Sequence, residues 1–371
     1  MKKWIPLLLL VLWACSPGEE KASNIEGGDE EQKRAKAKNI NLLPDASGEY
    51  GEMVIVMDKD RWEGELGLAL REVFHSDVPG LARREPFFTT RVIEPFQFNK
   101  IFKAAKNLVY VTSFDSGSPA DRWLQNTFTE DAKTKAKTDP SLFMSTAENQ
   151  YAKGQKVLRL FGKDEATLIA NLDKNKQILR NYFNIAERQR LASELKMTSA
   201  TRMVVRGLRD KFGYTIKIPG AYELAISEDD FMWARYLPPV GASKNLFVYF
   251  KDYESQDEFS HENVIKLRNE IGKQYIFGDP NNPESYMTTE MKYVPISQRN
   301  ISFDGKYTVE TKGAWKTNNL SVGGSFVSYT FLDETTNRLY YIEGFVIHPN
   351  EEHRELIREM ESLLTTFRNA S

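Results

Sequence analysis

The strongest constraint on this chain is an alternation between two hydrophobic periods. "EMVIVMD" (52–58) is a β-branched run of strand length, and Trp62, Leu66, Leu70, Val73 and Phe74 then recur at helical spacing. "FFTTRVI" (87–93), a helix-like "FQFNKIFKAAKN" (96–107) and "LVYVTSF" (108–114) repeat the pattern. The first half therefore reads β-α-β-α-β, a layering in which helices cover a sheet. "SPADRWLQNTF" opens a further helix with a serine cap and Pro119 just inside it. "QKVLRLF" (155–161) predicts a strand, after which Leu168, Leu172, Leu179, Phe183 and Ala186 trace one face of a long helix. Leu191 and Leu195 continue that face, "MTSAT" (197–201) interrupts it, and Val204, Val205 and Leu208 resume it. This predicts one bent helix or two in succession, ending at Gly213, where the boundary between halves is expected.

The second half changes rhythm. Two short alternating strands flank Pro219-Gly220, "FMWARYL" follows an acidic turn, and "NLFVYFKDY" is a fourth strand. "SHENVIKLRNEIGKQYI" reads as a helix capped by Ser260, and three longer strands follow near 298–311, 323–332 and 338–347. A closing helix, Asn350 to Phe367, carries Leu356, Ile357, Met360, Leu363 and Leu364 on one face. The expected fold class is α+β: two mixed α/β layered halves, residues 44–212 and 213–371. The second is expected to be an α/β/α sandwich with an antiparallel meander and a C-terminal helix.

A single cysteine interrupts the amino-terminal segment "LLLLVLWACSPGEEK" (7–21). Lys2 and Lys3 start it, an apolar run follows, and small Ala14 precedes Cys15, which is the order of parts in a secretory signal. The run is too short for a hydrocarbon core that needs about 20 residues. Leu12-Trp13-Ala14-Cys15 resembles the lipobox of bacterial lipoproteins, although Trp13 is bulkier than that motif usually carries. The resemblance implies a signal peptide over 1–14, acyl chains on Cys15, and membrane attachment through them. Several chains anchor permanently where one, at about 0.8 kcal/mol per buried CH₂, binds only marginally. Residues 15–43 then have the mixed charge and Gly-Gly pair of a flexible tether. Ser16 stands where an aspartate signals inner-membrane retention, so the expected address is the outer membrane. The pair Glu19-Glu20 is a short form of the acidic cluster on surface-displayed Bacteroidetes lipoproteins, and the periplasmic face is the expectation here.

Charge and cysteine usage exclude other classes. Lys and Arg number 50 against 52 Asp and Glu, a formal charge of −2, so no basic footprint for nucleic acid exists. The body beyond Cys15 has no cysteine, which removes disulfides and thiolate–metal chemistry, and its stability must come from packing. With 22 Phe and 16 Tyr it has the apolar mass to do so.

No motif nominates a catalytic residue or cofactor. "HPNEEHRE" (348–355) places His348 and His353 five apart, not the four that puts two rings on one helix face, and its glutamates suit the start of a helix. No metal site is expected. Glu228, Asp229 and Asp230 in "SEDDF" lack the ligand spacing and mid-loop glycine of an EF-hand and read as a solvated turn. "VGGSF" (322–326) lacks the Gly-Lys-Ser/Thr of a phosphate loop. Only His75, His261, His348 and His353 could serve as the base of a serine hydrolase, and no Gly-x-Ser-x-Gly elbow is present. Trp62, Trp123, Trp233 and Trp315 are expected in the core. The loop "VPGLARREPFFTTRV" (78–92) is the candidate binding loop, with Arg83, Arg84, Glu85 and Phe87 grouped between ordered elements; the alternative is that Phe87 and Phe88 enter the core and Arg83 and Arg84 face solvent.

Two resemblances complete the reading. The element order of the second half, with phrases such as "YTIKIPGAYEL", is similar to the Mog1 and PsbP-like sandwich. Over residues 43–371, "LLPDASGEYGEMVIVMD", "WEGELGLALREVF" and "VPGLARREPFF" resemble an uncharacterised lipoprotein family of Bacteroidetes, a domain of unknown function. The expectation is a lipid-anchored envelope protein acting as a non-enzymatic scaffold or binding module, with another envelope protein as its partner. The alternative is a lipid-anchored glycan hydrolase with an Asp/Glu pair in the cleft between halves.

Overall fold

The computed structural model describes residues 40–279 and 282–370, so the signal segment, Cys15 and the tether up to residue 39 lie outside the described residues. In the first half, strands β1 (Glu52–Val56), β2 (Thr89–Ile93), β3 (Asn107–Ser113), β4 (Met144–Glu148) and β5 (Lys156–Gly162) form one sheet in the order β2-β1-β3-β5-β4. All neighbours are parallel except the edge strand β4. Parallel strands need long crossovers. The helices are α1 (Lys59–Trp62), α2 (Glu65–Phe74), α3 (Lys100–Lys103), α4 (Pro119–Gln125), α5 (Glu130–Thr138), α6 (Glu165–Lys174), α7 (Lys176–Glu194) and α8 (Ser199–Phe212). Helices α2, α6 and α7 bury Leu70, Phe74, Leu168 and Phe183 against Ile55, Val109 and Leu158 on one sheet face. On the other, Phe98 and Leu124 cover Val56, Leu108 and Tyr110. Because both faces are covered, β3 is buried at every residue, and its centre, Leu108 to Val111, reads as an unbroken apolar run.

The second half is an antiparallel sheet of β7 (Glu223–Ser227), β8 (Phe231–Tyr236), β9 (Ser243–Asp252), β10 (Phe277–Asp279), β11 (Asn282–Glu290), β12 (Ser297–Phe303), β13 (Lys306–Thr317), β14 (Gly323–Asp333) and β15 (Arg338–Ile347). Its order is β10-β11-β13-β14-β15-β9-β8-β7, with β12 paired to β13. Helix α9 (His261–Tyr275) packs Val264 and Ile271 on the face carrying Phe247, Phe326 and Phe345. Helices α8 and α10 (Arg354–Leu364) pack Leu208, Met360 and Leu363 on the face carrying Val248, Val327 and Ile342. Two short strands, β6 (Tyr214–Thr215) and β16 (Arg368–Asn369), pair beside α8. The α+β class and the antiparallel meander with a C-terminal helix are therefore as expected. By packing, α8 goes with the second half, since Phe212 meets Phe250 and Tyr214.

Local chemistry explains most element ends. Ser118, Asp164 and Ser260 accept hydrogen bonds from the amides of Asp121, Thr167 and Asn263 at helix starts, and Thr198 with Thr201 forms a capping box. Gly213 ends α8 with φ 78°, a left-handed position that favours glycine. Four expectations need correction. The strand near 298–311 is a hairpin, because Asp304 and Gly305 both take positive φ and turn the chain between β12 and β13. The helix over 96–107 shrinks to a turn at Pro95–Gln97 and the single turn α3, where Asn99 caps anew. The face running from Leu168 to Ala186 belongs to two helices that break at Asn175. The closing helix starts at Arg354, not Asn350, whose φ is +66°.

Helix α10 lies directly on β15. A Cβ built on Gly344 would come within 2.5 Å of the Met360 Cβ, so only a bare backbone lets the helix approach this closely. Gly344→Ala is therefore expected to destabilise the protein by about 1–3 kcal/mol through overpacking, measured as a lower denaturant midpoint at unchanged slope.

Candidate functional site

The candidate loop becomes a joint between the halves. After α2, Asp77 bridges to Pro86, and the turn between them is thrown across the second sheet with Gly80, at φ 78°, against the backbone of Lys312 and Gly313. The Ala82 amide donates to Ser325 Oγ at 2.9 Å. Glu85 is 3% exposed, and its two carboxylate oxygens accept the amides of His353 and Arg354 at 2.7 Å each. These are unpaired donors at the start of α10, and a carboxylate there also suits the helix dipole. Phe87 is half-buried and touches the cores of both halves, while its carbonyl accepts from Arg358 at 3.0 Å. Arg83 donates to the Asn350 carbonyl, and the Arg84 side chain stands in solvent near Asp77. The structure thus brings Arg83, Glu85 and Phe87 to one seam and leaves Arg84 outside it.

The remainder of the seam is the polar face of α10. Arg354 donates to the Pro86 carbonyl at 2.9 Å, Arg358 to Asn184 Oδ1 at 2.9 Å, and both guanidiniums contact Glu355. Glu361 pairs with Lys312 and lies 3.6 Å from Arg188 of α7. Burial pushes the Glu361 carboxyl up, but Lys312 and Arg188 outweigh it and hold it below its ordinary value. Carboxylates at this seam are thus engaged by helix amides and cations.

His353 sits where a helix cap belongs, yet Glu85 does the capping. The imidazole instead bonds Ser325 Oγ through Nδ1 at 2.9 Å and the His348 carbonyl through Nε2 at 3.0 Å. Among the described residues no group of three or more His, Cys, Asp or Glu is placed to hold a metal ion. Trp233 and Trp315 are buried, and Trp62 and Trp123 are partly so.

Sequence reasoning missed a second cluster, at the carboxyl ends of β1, β3 and β5. In an open parallel sheet this is where crevices form, at the point where connections leave on opposite sides. Arg61 of α1 fills it. Its guanidinium donates to Glu165 Oε2 at 2.8 Å, Asp121 Oδ2 at 2.9 Å and Ser113 Oγ at 2.9 Å. Asp121 is fully buried and also accepts from Thr112 Oγ1 at 2.7 Å. Burial opposes the Arg61 charge, and Asp121 with Glu165 more than restores it. The signal was the strand order, which no local motif announces. Elsewhere, Tyr253, Phe259, Tyr307 and Leu332 line a concavity of about 650 Å³ beside Lys306 and Asp333.

Comparison with known proteins follows this division. Residues 46–196 match the model of a domain of unknown function, DUF8532, and residues 201–366 match a second, DUF4837. No curated protein matches the chain. Among solved structures, a variant of protein Mog1 is 9% identical, covering 43% of this chain and 92% of its own at a TM-score of 0.29. The Saccharomyces cerevisiae Ran-binding protein Mog1p is 8% identical, with 43% and 91% covered and a TM-score of 0.29. A crystal structure from Bacteroides thetaiotaomicron is 8% identical, with 43% and 46% covered and a TM-score of 0.25.

Two measurements check the seam. Glu85→Ala is expected to lose roughly 2–3 kcal/mol of stability, because it strips two amides of a charged acceptor, and Glu85→Gln less. Glu361 titrates in the folded protein below the ordinary 4.5, so its contribution is full above about pH 4.5 and is lost as pH falls through the lower folded value. A Glu361→Gln variant should accordingly show a shallower loss of stability below pH 4.5 than the native chain.

Proposed function

We propose that this protein is a lipid-anchored cell-envelope module, held at the periplasmic face of the outer membrane through acyl chains on Cys15, whose body is a non-enzymatic scaffold or binding surface for another envelope protein. The observation that carries the reading of the body is the seam. Helix α10 is buried on both its faces, so the two halves form one stiff unit and not a pair of lobes around a cleft. A stiff body suits presentation of a fixed surface. The hydrolase alternative needs two free carboxylates about 5–10 Å apart in an open cleft, whereas Glu85, Glu355 and Glu361 accept hydrogen bonds from protein donors.

The anchor rests on the lipobox-like Leu12-Trp13-Ala14-Cys15, on the polar tether after it, and on the likeness to Bacteroidetes lipoproteins. Among the described residues no helix is long and apolar enough to cross a membrane, so on this reading attachment falls to the acyl chains. In cells fed a labelled fatty acid, the wild-type chain should take up label and fractionate with membranes, while Cys15→Ala should do neither after signal cleavage. A Cys15→Ala protein that kept its label would sink the anchor. Crosslinking in intact envelopes should recover one reproducible protein partner, and recovery of none would count against the scaffold.

A further inference from the structure

Five large apolar side chains stand in solvent on three loops of the second sheet. Leu237 and Val240 lie between β8 and β9, Met291 and Tyr293 between β11 and β12, and Leu320 between β13 and β14. Val240 is 89% exposed, Tyr293 74% and Leu320 71%. Strand register places the two hairpin turns together. Tyr236 pairs with Lys244 at the base of the first, Ser243 with Ile347, and Gly323 with Lys316 at the base of the second. Both turns therefore leave the sheet where β15 ends. Tyr293 joins them, because it lines a hollow of about 440 Å³ with Leu320, Val322 and Pro349.

The tips are built to hold these side chains out. Leu320 keeps a left-handed φ of 60°, a strained conformation for a leucine, and Pro238-Pro239 stiffens the other turn. A group of exposed apolar residues of this kind marks an interaction surface. Side chains projecting singly from separate loop tips suit a fluid apolar layer better than a shaped protein groove, and a tyrosine among them suits the interface between headgroups and hydrocarbon. Charge does not choose the partner. Lys244 at the base of the first turn pairs with Glu359, and Lys316 at the base of the second pairs with Glu290.

Chain geometry points to the same occupant. The described chain begins at Ile40, and Gly51 lies beside Glu355 in the first turn of α10, just after the loop carrying Pro349. Residues 40–51 span at most about 40 Å, and residues 16–39 at most about 80 Å at roughly 3.3 Å each. Acyl chains on Cys15 and these loop tips can therefore touch one bilayer at once, and tethering raises the local concentration so that weak insertion suffices.

We propose that the crown formed by Leu237, Val240, Tyr293 and Leu320 inserts into the lipid surface to which the chain is anchored, which seats the body in a fixed orientation on the membrane. The inference rests on the lipid-anchor reading above. The body contains no cysteine, so Val240→Cys and Leu320→Cys each offer one thiol for an environment-sensitive dye, with Lys137→Cys on α5 as the solvent control. The full chain carrying each label is mixed with vesicles of phosphatidylethanolamine containing low or high phosphatidylglycerol. Emission at 240 and 320 should shift to the blue, and a bilayer-buried quencher should act on it several-fold more strongly than at 137, with little dependence on phosphatidylglycerol or salt.

Emission at 240 and 320 matching that at 137, or a shift that needs a co-purifying protein instead of lipid, overturns the proposal. The anchor is read separately. An acylated Cys15 takes no dye, so labelling of the wild-type chain together with failure to float with vesicles removes the anchor. In that case the dye is read on a Cys15→Ala background, where a lipid-dependent shift at 240 and 320 upholds the crown and its absence overturns it.

Discussion

The acceptance of two α10 amides by Glu85 is the contact on which the arrangement of the molecule depends. A helix start leaves backbone donors without partners, and burying them unpaired is costly. Here the acceptor comes from a loop some 270 positions earlier, at 2.7 Å from both amides. The first half thereby completes the second half's terminal helix, and α10 cannot be properly solvated or capped without it. Around this point Arg354 and Arg358 donate to the Pro86 and Phe87 carbonyls, and Phe87 reaches both cores. Polar bonds give the joint its geometry and Phe87 gives it apolar contact.

A second buried polar group sits on the opposite face of the same sheet. Arg268 of α9 and Glu343 of β15 are both inaccessible to solvent, with bonds of 2.9 and 2.8 Å, and Thr289 and Tyr341 complete the partners. The guanidinium lies 3.7 Å from the centre of the Phe326 ring. Burial pushes the Glu343 carboxyl up against the pull of Arg268. Such pairs add little net stability but make misplacement costly, since either ion alone would be buried without a partner. The sheet is thus pinned by directional contacts on both faces, at Gly344 under α10 and at Glu343 under α9.

Much of the fold was legible because it is periodic. The run "LVYV" (108–111) is apolar throughout, which suits a central parallel strand, and the helical faces of α2, α9 and α10 appear at regular spacing. Errors arose where a local signal competed with a longer pattern. Asp304-Gly305 is a turn signal inside what otherwise resembles one strand, and Asn175 breaks a face that continues in register on both sides. The strands β4, β10 and β11 and the helix α5 have no local signal that predicts them. Strand β4 is exposed or half-buried beyond Met144, α5 is largely polar, and β11 takes its place by pairing Met287 with Thr317 of β13. Of the candidate loop, its unusual composition, the buried Phe88 and the solvent-facing Arg84 were legible, but not that Glu85 faces inward to cap a distant helix.

The sequence by itself determined most of the elements, the apolar mass and a body free of cysteine, because these depend on residues close together in the chain. The tertiary structure decided what the loop at 78–92 is for within the fold, which carboxylates are already paired, and which apolar residues are left over. The physical reason is that a side chain's chemistry follows its solvation and its partners. Glu85, Arg61 and Leu320 carry no local signal of these roles, and only the packing of distant strands and helices sets one as a buried cap, one as a half-buried strut and one as an exposed tip.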